Sequence, residues 1–120
     1  ECDASQAFKE EYLRAQEDDI ILINSPVGMP GRAIRNKFLE DVSNGMKRSP
    51  KCRYRCLRPC SPKDSPYCIA DALINAQKGN LEQGFAFAGS NAHRINKIVS
   101  VKELMEELVS GIMQFQPEGC

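Results

Sequence analysis

A mostly helical α+β chain with one short strand and a cysteine-rich irregular loop is the fold the sequence predicts. Three observations carry this reading. The stretch from Ser100 onward repeats Val101, Leu104, Met105, Leu108, Val109 and Ile112 at helical spacing. The longest apolar candidate, Ile20-Ile21-Leu22-Ile23, has the length of a strand rather than a helix. Between Met46 and Ser65, prolines and cysteines replace any periodic pattern.

Taken in order, Asp3 to Gln16 reads as the first helix. Asp3 is placed as its N-cap, Gln6 as the partner in a capping box, and Ala4, Phe8 and Tyr12 on one face. Glu17-Asp18-Asp19 breaks that pattern, and Ile20 to Ile23 follows as a strand buried on both faces. Asn24 to Arg32 holds two prolines and two glycines and reads as a loop of fixed geometry, with Pro30 opening a helix that runs to about Val42. Ile34, Phe38, Leu39 and Val42 would form its apolar face, and Asn44-Gly45 would stop it. The next helix starts with Ser65 as N-cap and Pro66 in the first position, turns Ile69, Leu73 and Ala76 inward, and closes at Gly79. Gly84 to Ile95 is small, apolar and glycine-bearing, which suits close backbone packing or a ligand approached by backbone. Ser100 and Glu103 form a capping box for the last helix, and Gln114 to Cys120 reads as a frayed tail. Nothing divides the chain, so 1–120 is read as a single segment with a basic cysteine loop at 46–68.

Composition excludes several classes. The chain has 120 residues, with 16 acidic and 16 basic side chains, so no global charge draws it to nucleic acid or a membrane. No apolar run reaches the roughly 18–20 residues that cross a bilayer. The start, Glu1-Cys2-Asp3-Ala4, is polar and is not a secretory leader. Four of the six cysteines crowd into one segment, which favours reduced cytoplasmic thiols or metal ligands over a disulfide scaffold.

Three constellations could carry chemistry. Cys52-x3-Cys56-x3-Cys60-x7-Cys68 supplies four soft thiolates able to surround one centre, zinc or an iron–sulfur cluster. The spacing matches neither the usual zinc pairs nor the common ferredoxin run, so free thiols packed as small hydrophobes stand beside the metal reading. The same loop carries Lys47, Arg48, Lys51, Arg53, Arg55, Arg58 and Lys63, with Tyr54 and Tyr67 nearby. A nucleic-acid backbone or a redox partner would be its ligand. The bland alternative is a solvated loop, or one that neutralises an anionic cofactor.

The second constellation is Ser25 to Asn36, a strand entering a Gly/Pro loop and then a helix, a place where free N–H groups meet anions. It is neither a Walker loop nor a dinucleotide fingerprint. The alternative is a rigid connector whose Arg and Asn side chains tie down backbone carbonyls. The third is Ala88-Gly89-Ser90-Asn91-Ala92-His93-Arg94, with the only histidine, read as a surface or capping residue. No nucleophile has a partner at a useful spacing, and Glu103, Glu106 and Glu107 make the wet side of the last helix. No catalytic residue is assigned.

These stretches resemble a known family. Ile23-Asn24-Ser25-Pro26-Val27-Gly28-Met29-Pro30-Gly31-Arg32-Ala33-Ile34-Arg35-Asn36 is similar to the Gly-x-Pro-x-Arg-x-(Ile)-x-Asn element of nitronate monooxygenases (2-nitropropane dioxygenases). Gly79-Asn80-Leu81-Glu82-Gln83-Gly84 through Ala88-Gly89-Ser90-Asn91-Ala92 resembles their Gly-Asp-x-x-x-Gly…Ala-Gly-Gln-x-Ala element, shared with flavin-dependent enoyl-acyl-carrier-protein reductases. Ile98-Val99-Ser100-Val101-Lys102-Glu103-Leu104 resembles the start of the last barrel helix, and the cysteine loop an insertion in clostridial-type members. The resemblance implies the final third or so of an FMN-dependent (β/α)8 barrel that oxidises alkyl nitronates, or transfers hydride in the reductase branch. The strands cradling the flavin and the family's His-Gly-Gly motif would then lie upstream of Glu1, and this chain alone would be inactive. By position, Gly89, Ser90 and Asn91 would approach FMN, and Gly28, Met29, Pro30 and Arg32 would wall the substrate side. Ser90-Asn91 in place of Gln, and Met29-Pro30-Gly31, depart from the family pattern. The implied partners are a small-molecule substrate and the rest of the barrel. The apolar faces of Ile20–Ile23 and of the last helix would face that barrel.

Overall fold

The computed structural model describes residues 1–48 and 52–115. Pro50 and the tail beyond Phe115 lie outside them. The chain is mostly helical: α1 (Gln6–Arg14), β1 (Ile20–Asn24), β2 (Pro30–Ile34), α2 (Lys37–Ser43), α3 (Ile69–Gln77) and α4 (Val101–Gln114), with single 3-10 turns at Glu17–Asp19 and Ala92–Arg94. The principal departure from expectation is β2. The sequence reading puts a helix from Pro30 onward; instead Pro30–Ile34 returns antiparallel along β1, pairing Ile20 with Ile34 and Asn24 with Pro30. The turn explains why. Gly28 donates to Ser25 O at 3.0 Å, Pro26 occupies the position that its fixed φ suits, and Gly28 takes a φ of +82°. Ser25 N–H then bonds Met29 O at 3.2 Å, the geometry of a tight turn with a glycine bulge.

Strand β1 is not buried on both faces: Leu22 is 70% exposed while Ile21 and Ile23 pack on the core. Its partner strand gains a second neighbour on its far side. Ile34 donates to Ala86 O, Ala33 bridges Phe87 in antiparallel sense, and Ala88 donates to Arg32 O, the two bonds each 3.0 Å long. The 85–88 stretch thus completes a short three-ply layer. The core beneath it is aromatic. Phe38, Tyr67 and Phe85 meet with ring centroids 5.1–6.0 Å apart, mostly edge to face, and Phe87 adds a further edge contact to Phe85 at 5.0 Å. A smaller cluster of Ala15, Ile34 and Ala86 receives Phe8 and Tyr12 from α1.

Local signals set the helix ends. Ser5, not Asp3, caps α1 by accepting from Phe8 N–H, and that helix stops at Arg14. Helix α2 starts only at Lys37, capped by the Asn36 side chain. It ends in a Schellman motif, with Met46 N–H on Asp41 O, Gly45 N–H on Val42 O and Gly45 at φ +91°. Helix α3 ends the same way at Gly79, as the sequence reading expects. Its start differs: Cys68 is the N-cap, and Ser65 is buried with its hydroxyl on Ser61 O. Ala72 and Ala76 turn inward, whereas Leu73 is half-exposed. Both small side chains let Gly84 pack so tightly that a Cβ there would sit 2.0 Å from Ala72 O.

The capping box Ser100–Glu103 opens α4 as expected, the Ser100 amide and the Glu103 carboxylate lying 2.8 Å apart. Its apolar stripe covers nothing among the described residues. Val101, Leu104, Met105, Leu108, Val109 and Ile112 are each about half or more exposed.

Candidate functional site

The two glycine-bearing segments flagged in the sequence lie about sixty positions apart along the chain, and they are neighbours in the fold. Ala88, the residue before Gly89, donates its N–H to Arg32 O. Residues Gly28 to Arg32 and Gly89 to Asn91 therefore share one margin of the layer. The turn places Gly28, Met29 and Pro30 at the hairpin tip, all exposed, with Met29 59% exposed. Arg32 is exposed beside its register partner Leu22. Gly31 approaches Phe87 so closely that a Cβ would lie 2.7 Å from the ring. Gly89, Ser90 and Asn91 leave the layer exposed and enter the 3-10 turn at Ala92. Among the described residues, no hydrogen bond uses the N–H groups of these three. A Cβ on Gly89 would meet nothing within 4 Å. His93 is half-buried and points Nδ1 at Ser90 O, 3.1 Å away, bracing the turn rather than facing the margin.

Two neighbours of the first segment serve the fold. The Arg35 guanidinium donates to Asp18 O at 2.7 Å, and the Arg35 amide to Asp19 O at 2.7 Å. Asn36 does three tasks at once. Its Oδ1 accepts from Leu39 N–H at 3.1 Å, while its Nδ2 donates to Leu81 O at 3.0 Å and Gly84 O at 2.8 Å. One side chain thus starts α2 and clamps the turn that leads into 85–91. The rigid-connector reading holds for Arg35 and Asn36, and the exposed margin is left to Gly28, Met29, Pro30 and Arg32. Tyr12, which the sequence reading used only as an apolar face residue, adds a third tie, its hydroxyl donating to Phe87 O at 2.7 Å. Burial raises its phenol above the ordinary range.

The cysteine loop forms a separate place. Cys52, Cys56, Cys60 and Cys68 all line one cavity of about 400 Å³. The metal expectation needs correcting in its compact form: among the described residues, no group of three or more Cys, His, Asp or Glu side chains is gathered as a ready ligand set. Cys52 and Cys56 are exposed, Cys60 and Cys68 half-buried, and none of these thiols is in a disulfide. The basic residues do not make a uniform charged surface either. Arg48 lies over the Phe38 ring at 5.5 Å and donates to Glu82 O, so it belongs to the core edge. Of the two tyrosines near the loop, Tyr54 donates to Asp71 Oδ1 at 3.2 Å, and Tyr67 is inside the aromatic core. Neither the thiol-lined cavity nor the adjoining cleft of about 580 Å³ between Arg48 and Lys78 is lined by the two glycine-bearing segments.

An antiparallel hairpin with helices on its flanks, a third ply from 85–88 and an uncovered terminal helix names no fold family by itself, and the comparisons with known proteins supply one. The family model for nitronate monooxygenase matches residues 1–111, and the chain belongs to that family. Among solved structures, FabK from Thermotoga maritima superposes with a TM-score of 0.61 at 21% identity, covering 94% of this chain and 35% of that one. At that identity the likeness establishes the fold, a segment of a TIM-type barrel, and this chain spans about a third of the neighbour's length. A comparison with curated protein sequences finds no match.

Proposed function

We propose that this chain forms the C-terminal segment of an FMN-dependent oxidoreductase that oxidises alkyl nitronates. One observation supports it above the rest: the N–H groups of the exposed residues Gly89, Ser90 and Asn91, free of hydrogen bonds among the described residues, stand beside the hairpin tip of Gly28, Met29 and Pro30 and the exposed Arg32. Backbone donors on an open glycine turn fit the polar rim or phosphate of a flavin, because a side chain there would keep such a ligand away. Gly89, Ser90 and Asn91 would hold the cofactor. Gly28, Met29, Pro30 and Arg32 would wall the substrate, with Met29 giving an apolar contact to an alkyl group and Arg32 a positive charge for a nitronate anion. Bound FMN would supply the two-electron redox chemistry, and this chain's part is to bind, orient and exclude water. The stripe of α4 and the exposed Leu22 fit packing against the remaining barrel elements. The unpaired cysteines fit a reducing, cytoplasmic compartment. Among the described residues no helix is long and apolar enough to cross a membrane.

The reductase branch is the second reading, since the fold likeness is to FabK. The test is the full-length protein, purified and saturated with FMN. Oxygen uptake with an alkyl nitronate, weakened in Arg32→Ala, supports the proposal. NAD(P)H-dependent reduction of an enoyl thioester without nitronate turnover moves it to the reductase branch, and failure to retain flavin sinks both.

A further inference from the structure

We propose that the Cys52–Cys68 loop holds an iron–sulfur cluster. The four thiols leave their loop from separate points, yet all four line the same cavity of about 400 Å³. A tetrahedral zinc centre with Zn–S bonds of about 2.3 Å would draw the sulfurs to about 3.8 Å from one another and leave no such space between them. A cluster places iron and inorganic sulfide between the thiolates, keeps the cysteine sulfurs further apart, and fills a cavity rather than a point.

The rest of the lining has the same chemistry. Arg55 and Arg58 border the cavity, and a thiolate-ligated cluster carries net negative charge that such guanidiniums offset. Leu57 and Ile69 add apolar surface to the lining. Arg55, between Cys52 and Cys56, takes a φ of +44°, a region that costs a non-glycine residue energy. Cys60 Sγ lies 3.9 Å from the Ser65 hydroxyl oxygen, which fixes that sulfur's place on the cavity wall. Ser65 is itself anchored by Ser61 O. The loop is joined to α3 through the Tyr54–Asp71 hydrogen bond, so the centre would sit on the framework that carries the aromatic core.

The test is independent of flavin binding. The full-length protein is purified without oxygen, incubated with ferrous iron, sulfide and a thiol, and desalted; iron, acid-labile sulfide and zinc are then measured. The expected result is equal amounts of iron and sulfide retained on the protein. The variant Cys52→Ser/Cys56→Ser changes two exposed side chains and should keep the wild-type circular dichroism and flavin content while losing iron about tenfold. The control Cys2→Ser, remote from the loop in sequence, should keep its iron. Wild-type protein that retains no iron, iron without sulfide, stoichiometric zinc in its place, or equal iron in the double variant would each overturn the proposal.

Discussion

Replacing Asn36 separates two jobs of one side chain. In Asn36→Ala, α2 loses its cap and the carbonyls of Leu81 and Gly84 lose their donors. Loss of an N-cap costs about 1 kcal/mol. Each lost amide bond adds about 0.5–1.5 kcal/mol, toward the upper end for Gly84, which is buried and cannot turn to water instead. The sum is about 2–4 kcal/mol. Asn36→Ser keeps a capping oxygen but reaches neither carbonyl, so it should recover about 1 kcal/mol of that loss and no more. Denaturant unfolding of the full-length protein, with slopes compared to confirm an unchanged transition, measures both. If Asn36→Ser were as stable as the wild type, the clamp on the 81–84 turn would contribute nothing and the account of how 85–91 is positioned would fail. If the Ser and Ala variants were equally unstable, the cap would be the part without effect.

Two further outcomes follow from the packing. Gly84→Ala should destabilise by about 3 kcal/mol or more, at the severe end for overpacking, because the new methyl meets backbone at Ala72 O rather than a movable side chain; thermal unfolding reads it. Burial holds the Tyr67 phenol up at about 12 against an ordinary value of 10.0. The folded state thus keeps its proton longer than the unfolded one, so the stabilisation is complete below about pH 10 and fades as pH rises toward about 12. Unfolding free energy followed by fluorescence should fall with pH across that window in the wild type, and more shallowly in Tyr67→Phe.

What the sequence made legible was whatever short-range chemistry decides. The Ser100–Glu103 capping box, the Gly45 and Gly79 helix stops and the amphipathic stripe of α4 each depend on residues within one or two turns, and each is found as read. Pro30 misled because proline suits a helix start and a strand end equally. What decides between them is Gly28 at φ +82° and the pairing of β2 with residues 86–88, a partner fifty positions away. Ser5 displaced Asp3 as the cap for a similar reason: the Ser5 amide is tied to Gln77 O at 2.8 Å, and that contact fixes where α1 begins. The family likeness put one glycine-bearing segment at the flavin and the other on the substrate side, and their direct pairing through Ala88 and Arg32 depends on a long-range contact that no local pattern encodes. Asn36 as the clamp between them could have been found by asking why a capping residue ends the first motif. Tyr12 could not, since nothing local tells a tyrosine that its hydroxyl will meet Phe87 O.

The cysteine loop departs from the framework and returns to it at almost one point, where Arg48 N–H bonds Pro66 O at 2.7 Å. A chain excursion pinched at its neck adds little strain to what it hangs from, and the entropy of closing it grows only slowly with its length. The stretch between α2 and α3 is in that sense a graft with one backbone neck and one side-chain tie, Tyr54 to Asp71. A lineage can lengthen it, shorten it or refit it with different side chains while the helices on either side keep their places, so the thiol cavity and the glycine margin are free to evolve on separate clocks.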